Sequence, residues 1–144
     1  PIIRLEEAEF KVKQVLPRNY ADEASLVASS IVEKSRSILS SSKRILRFKN
    51  NKLIGNDLNH ILTLPVEKIY NILSKFYGMK YDLYVAIYLV AILEYIIKDI
   101  LHLATCYVKH LNKYSINKDD IMTSMHADYK LTKILYLSMN GLTN

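Results

Sequence analysis

Apolar residues recur at helical spacing through most of the chain. The longest such run is Leu83 to Leu111, where Val85, Leu89, Ile92, Leu93, Ile96, Ile100, Leu103, Ala104, Tyr107 and Leu111 follow one another at helical intervals. The run holds no Gly or Pro, and as a helix its 29 residues span about 43 Å. Ile96, Ile97, Ile100 and Leu101 wrap much of the circumference, more than a coiled-coil seam needs. The pattern therefore predicts an axial helix contacted from several sides. A membrane span is the poorer reading, because Glu94 interrupts the run and Asp82 and Lys98 close it short of about 20 apolar residues.

Shorter elements flank this axis. Leu5, Ala8, Val12 and Val15 mark an amphipathic helix over Leu5 to Leu16, stopped by Pro17. After the turn Pro17-Arg18-Asn19-Tyr20, Asp22 is an expected N-cap for a second long helix running to about Phe48, with Leu26, Val27, Ile31, Ile38, Ile45 and Leu46 along it. The small residues of its serine-rich middle, Ser35 to Ser42, suit a close helix approach. A polar turn over Lys49 to Lys52 and one or two helical turns over Gly55 to Leu62 complete this part. Leu64-Pro65 then opens a helix over Val66 to Phe76, ended by Tyr77-Gly78, and Asp82 can cap the axial helix. After the turn Asn112-Lys113-Tyr114, Asn117 or Ser115 starts a short helix to about Met125, and another runs from Asp128 to about Met139. The order short, long, short thus occurs twice, over residues 1–62 and 63–144. One such trio leaves a face of its long helix bare, so two are expected to clasp with their long helices antiparallel.

Composition agrees with an all-α fold: half the residues are hydrophobic, Gly and Pro number three each, and strand signals are missing. The net charge of +6 favours anionic partners. Lys34, Arg36, Lys43, Arg44, Arg47, Lys49 and Lys52 form a run with no acidic residue among them, where a solvated face would mix signs. Cys106 is the single cysteine, so a disulfide framework is excluded, a reducing compartment is natural, and the thiol reads as a packing residue. Pro1 to Leu16 lacks the apolar core of a secretory signal, and a start at Pro suggests a trimmed chain or a fragment. His60, His102, His110 and His126 read as having no second His or Cys at metal spacing, and Asp119-Asp120 as carboxylates at a helix N-terminus. No catalysis, metal or cofactor is expected.

Particular motifs add to this. LPVEKI (Leu64 to Ile69), YLVAILEYI (Tyr88 to Ile96), ILHLA (Ile100 to Ala104) and DYKLTKIL (Asp128 to Leu135) make the second half similar to the core histone two-A. FKVKQVLP (Phe10 to Pro17) and RFKNNKLI (Arg47 to Ile54) more weakly resemble histone two-B, and LPRN followed by DEA resembles histone-fold transcription subunits. The whole looks like two tandem histone folds in an intramolecular handshake, as in the fused histone doublets of giant viruses. The second half equally resembles the N-terminal histone domain of Ras exchange factors of the Son of sevenless type, in LPVEKI, LVAILEYIIKDIL, YSINKDDI and MHAD. Only Thr63 separates the first unit from LPVEKI, which fits the doublet better.

The doublet resemblance implies packaging of duplex DNA without base readout, as the outer dimer of a nucleosome-like particle with the inner histones (three and four type) or their viral doublet, in a nucleus, viral factory or virion. It implies three DNA contacts: Arg18 and Asn19 with Lys113 and Lys118; Lys80 with Arg47, Lys49 and Lys52; and Lys11, Lys13, Lys68 and Lys75 between them. Glu94, Asp99 and Asp128 map onto the acidic patch that partners grip with an arginine, thinned here by Lys98 and His102. The first-helix arginines of histone two-A are largely replaced, and the extension that docks on the inner histones is absent, so the particle is expected to be loose. The exchange-factor resemblance implies instead a cytoplasmic module acting in autoinhibition and binding acidic membrane lipid.

Overall fold

The computed structural model describes residues 2–41, 47–49, 52–54, 58, 61–78 and 80–141, with the side chains of 41, 47–49, 52–54, 77 and 138–141 outside that description. The fold is all-α around α4 (Leu83–His110). Asp82 caps it, accepting the Tyr84 N–H at 3.0 Å, and Asn112 turns the chain away at φ 56°. The first half of α4 is buried nearly all round, from Val85 to Tyr88 and from Val90 to Ile92, whereas beyond Glu94 only Ala104 and Val108 are buried. The difference follows from α2 (Arg18–Ser41), which runs antiparallel along that first half. Tyr20 meets Tyr95, Ser25 shares a 2.9 Å hydrogen bond with the Tyr88 hydroxyl, and the Arg36 guanidinium lies 4.1 Å over the Tyr84 ring. Ala21, Ala24, Ser25 and Ala28 are buried on α2, so small side chains let the two helices approach, as the small residues further along suggested.

Both ends of α2 differ from the sequence expectation. The helix starts at Arg18, so Asp22 lies inside it and is not its cap. Pro17 both ends α1 (Leu5–Val15) and supplies the carbonyl that accepts the Ala21 N–H at 2.8 Å, which leaves no room for a longer turn. The helix is described to Ser41, not Phe48. Arg47–Lys49 (β2) pairs antiparallel with Lys52–Ile54 (β3), Lys49 opposite Lys52. Phe48, Leu53 and Ile54 favour strand, so this local preference overrode the helical spacing. Most of the expected helical turns over Gly55 to Leu62 fall outside the described residues. The described part is one turn, with the Ile61 and Leu62 amides on the Leu58 carbonyl, and Leu58 and Leu62 deeply buried.

The second half follows its expected order. α3 (Val66–Tyr77) ends in Gly78, whose φ of 58° gives the left-handed cap that glycine adopts readily. β4 (Lys80–Tyr81) then pairs parallel with β1 (Ile2–Ile3), Ile2 opposite Lys80 and Ile3 opposite Tyr81. α5 (Lys118–Ala127) carries a reciprocal capping box between Asn117 and Asp120, and α6 (Tyr129–Gly141) follows Asp128. The main core gathers Ala8, Ala24, Ala28, Val32, Leu62, Val66, Tyr70 and the first half of α4. A smaller core of Tyr20, Met125 and Leu131 joins Ile100 and Leu103 beneath α5 and α6.

Candidate functional site

The three carboxylates expected to form one acidic patch separate into two roles. Glu94 is 5% exposed and accepts the backbone N–H of Thr63 and, at 2.6 Å, of Leu64. Both amides lie just ahead of Pro65, the N-cap of α3, so Glu94 ties the entry to that helix to α4 from a distant part of the chain. Lys98, one turn on, stands 3.8 Å from the other carboxylate oxygen. Glu94 is therefore a structural clamp and not a surface anchor, because two backbone amides claim its charge.

Asp99 and Asp128 do converge, around Tyr20. The start of α2 places Tyr20 at 2% exposure, and its hydroxyl makes no hydrogen bond of standard geometry. Burial first, then the charge of the neighbouring Asp99 carboxylate and its hydrogen-bonding approach to the hydroxyl, and after these Tyr95 and Asp128, push the phenol's ionisation well above its ordinary range. Tyr95 packs edge-on against Tyr20 with ring centroids 5.4 Å apart, and its hydroxyl donates to Glu23 at 3.2 Å. Burial, Glu23 and Asp99 raise the Tyr95 phenol too. Asp128 uses one oxygen to accept the Leu131 N–H at 2.9 Å, which fixes it at the break between α5 and α6. Carboxylates from α4 and the α5–α6 break thus converge on the buried Tyr20 hydroxyl, and Glu23 of α2 lies next to them on Tyr95. Such a set suits a planar cation with several donors, which describes a guanidinium.

The sequence alone gave no sign of Tyr20, Glu23 or Tyr95. Their only signal was a tyrosine at the start of an apolar-periodic segment, which reads as packing. A second omission concerns metal spacing: His102 and Cys106 lie one turn apart on α4 with Nε2 and Sγ separated by 3.9 Å. Cys106 is exposed, not a packing residue, because the second half of α4 is only partly covered. Among the described residues no group of three or more His, Cys, Asp or Glu could hold a metal ion.

Of the expected cationic contacts, Lys11 and Lys13 on α1, Arg18 at the start of α2, Lys68 and Lys75 on α3, Lys80 in β4 and Lys118 at the start of α5 are all exposed. Lys113 is not free: its ammonium lies 2.7 Å from both oxygens of Asp120, whose carboxyl is held below its ordinary range by Lys113 first and the Asn117 N–H second. The backbone beside Lys80 is Ile2, while Arg47, Lys49 and Lys52 sit in their own hairpin with side chains outside the described residues. Arg18 opens the end of α2 that packs near Tyr95 and Asp99; eleven residues, about 16 Å of helix, separate Asp99 from His110. Among the described residues no helix is long and apolar enough to cross a membrane.

No family model matches the chain. It is similar to Son of sevenless of Drosophila melanogaster. The two are 36% identical over 98 residues, which is 67% of this chain and 6% of Son of sevenless. The chain therefore spans only a small part of the length of that relative. Of the two resemblances carried by the motifs of the second half, the exchange-factor one has this support.

Proposed function

We propose that this chain is a histone-fold docking module of a Son-of-sevenless-like Ras exchange factor, built as paired histone folds, which restrains its enzyme by holding another region of it and also meets acidic membrane lipid. The observation that carries this reading is the acidic site at the break between α5 and α6, where Asp99 and Asp128 converge beside Tyr20. An arginine from a regulatory segment would supply donors to both carboxylates. The similarity to Son of sevenless supports the same reading. The nucleosomal reading draws less support, since Glu94 is withdrawn from the acidic patch and Lys113 is neutralised.

The test is calorimetric titration of the chain with an arginine-bearing peptide, its lysine counterpart and duplex DNA. Asp99→Asn and Asp128→Asn should each weaken the arginine peptide by about tenfold or more, with lysine a poorer ligand. Tight DNA binding that falls steeply with salt, together with co-assembly with inner histones, would instead favour the packaging reading.

A further inference from the structure

The second half of α4 carries two metal-ligating side chains that the helical repeat brings together. His102 and Cys106 lie one turn apart, and both are exposed. Their Nε2 and Sγ atoms are 3.9 Å from one another. Around one tetrahedral zinc, with Zn–N about 2.0–2.1 Å and Zn–S about 2.3 Å, a nitrogen and a sulfur ligand stand about 3.6 Å apart. The pair therefore has to close by only a few tenths of an ångström, on a helix that holds no Gly or Pro. His110 is a further turn on and exposed, but eight residues, about 12 Å of helix rise, separate it from His102, so one ion cannot take both. Lys98 and Lys109 are exposed on the same face, and Lys98 leans towards Glu94 at 3.8 Å. Their ammoniums oppose a bare dication, and a bound thiolate offsets half of its charge.

We propose that His102 and Cys106 form a two-donor site for a zinc-like divalent ion, with water in the remaining positions. Donor chemistry selects the class of ion: imidazole nitrogen with thiolate sulfur suits zinc, whereas calcium and magnesium take oxygen. The neutral imidazole binds through Nε2 with its proton on Nδ1, and the thiol gives its proton to solvent as the Zn–S bond forms. Without metal, the same approach of the two side chains serves as a weak thiol–imidazole hydrogen bond, which the ion replaces. Among the described residues no third His, Cys, Asp or Glu completes a set with this pair, so the ion sits on an open face and keeps exchangeable positions. The site is separate from the acidic one beside Tyr20 and stands independently of it.

Cys106 is the single thiol of the chain, so thiol readouts report this site alone. The reduced, chelator-treated chain is titrated with cobalt(II), whose thiolate charge-transfer absorption in the near ultraviolet signals a Co–S bond, and then with zinc. The expected result is one ion per chain, with zinc displacing cobalt and slowing the alkylation of Cys106 by iodoacetamide. Cys106→Ser should abolish the charge-transfer band. His102→Ala should weaken binding by about tenfold or more, since losing a ligand costs at least what losing its support does. His110→Ala should leave both readouts as they are. All three positions are exposed, so helical circular dichroism should be kept in each variant. A band that survives His102→Ala at full affinity, or is lost in His110→Ala, would overturn the pairing. No charge-transfer band and no protection of the thiol by zinc would overturn the site itself. One ion per two chains, with a doubled mass in light scattering, would overturn the water-completed form, a second copy then supplying the same pair.

Discussion

Glu94 lies in the core because two backbone amides from a distant part of the chain need its charge. Glu94→Ala would strand both and should lower the stability to urea by about 2–4 kcal/mol, with Glu94→Gln milder because one acceptor oxygen remains. Tyr20 is a second buried polar group, its hydroxyl set against the Asp99 carboxylate. Tyr20→Phe removes that interaction and should lower neutral-pH stability in urea by about 1 kcal/mol. Its raised ionisation also has a sign: above about pH 10 the unfolded phenol loses its proton before the folded one, so stability falls as pH rises there. Denaturation midpoints in base should show that fall in the parent and less of it in Tyr20→Phe. Neither role was legible in the sequence. Spacing marked both residues as belonging to helices, but Glu94 takes its meaning from amides about thirty residues away and Tyr20 from carboxylates on two other elements.

At the scale of elements, periodicity located α1, α3, α4, α5 and α6 to within a few residues, because each pairs a sustained apolar stripe with a clear cap or stop such as Asp82, Asn117, Pro17 or Gly78. It misjudged the stretch after Ser41, where strand-forming residues around Asn50-Asn51 have helical spacing by coincidence. The antiparallel fit of α2 on α4 depends on small side chains, and Ala28 is fully buried there. Ala28→Leu should force the helices apart and lower the urea midpoint by the equivalent of about 1–3 kcal/mol. Asp120 ties the start of α5 to Lys113, and its lowered ionisation means the stability it contributes is full above about pH 4 and is lost as pH falls through its own lower value. Urea midpoints at neutral pH and near pH 3 should therefore differ less in Asp120→Asn than in the parent.

For the whole molecule, the all-α class and the antiparallel packing of the two long helices were readable from pattern alone, since both follow from apolar stripes too wide for one neighbour to cover. The arrangement of charge was not, because a pairing such as Lys113 with Asp120 is decided by where a turn points. The parallel contact of Ile2–Ile3 with Lys80–Tyr81 has a consequence for chain continuity. Together with α2 lying along α4, it holds the first forty residues to the remainder at two separate places, neither of which needs the intervening peptide to be intact. A protease site introduced between Ile54 and Leu58 and then cleaved should yield two pieces that co-elute as a native-like complex. Separately made, they should regain helicity on mixing.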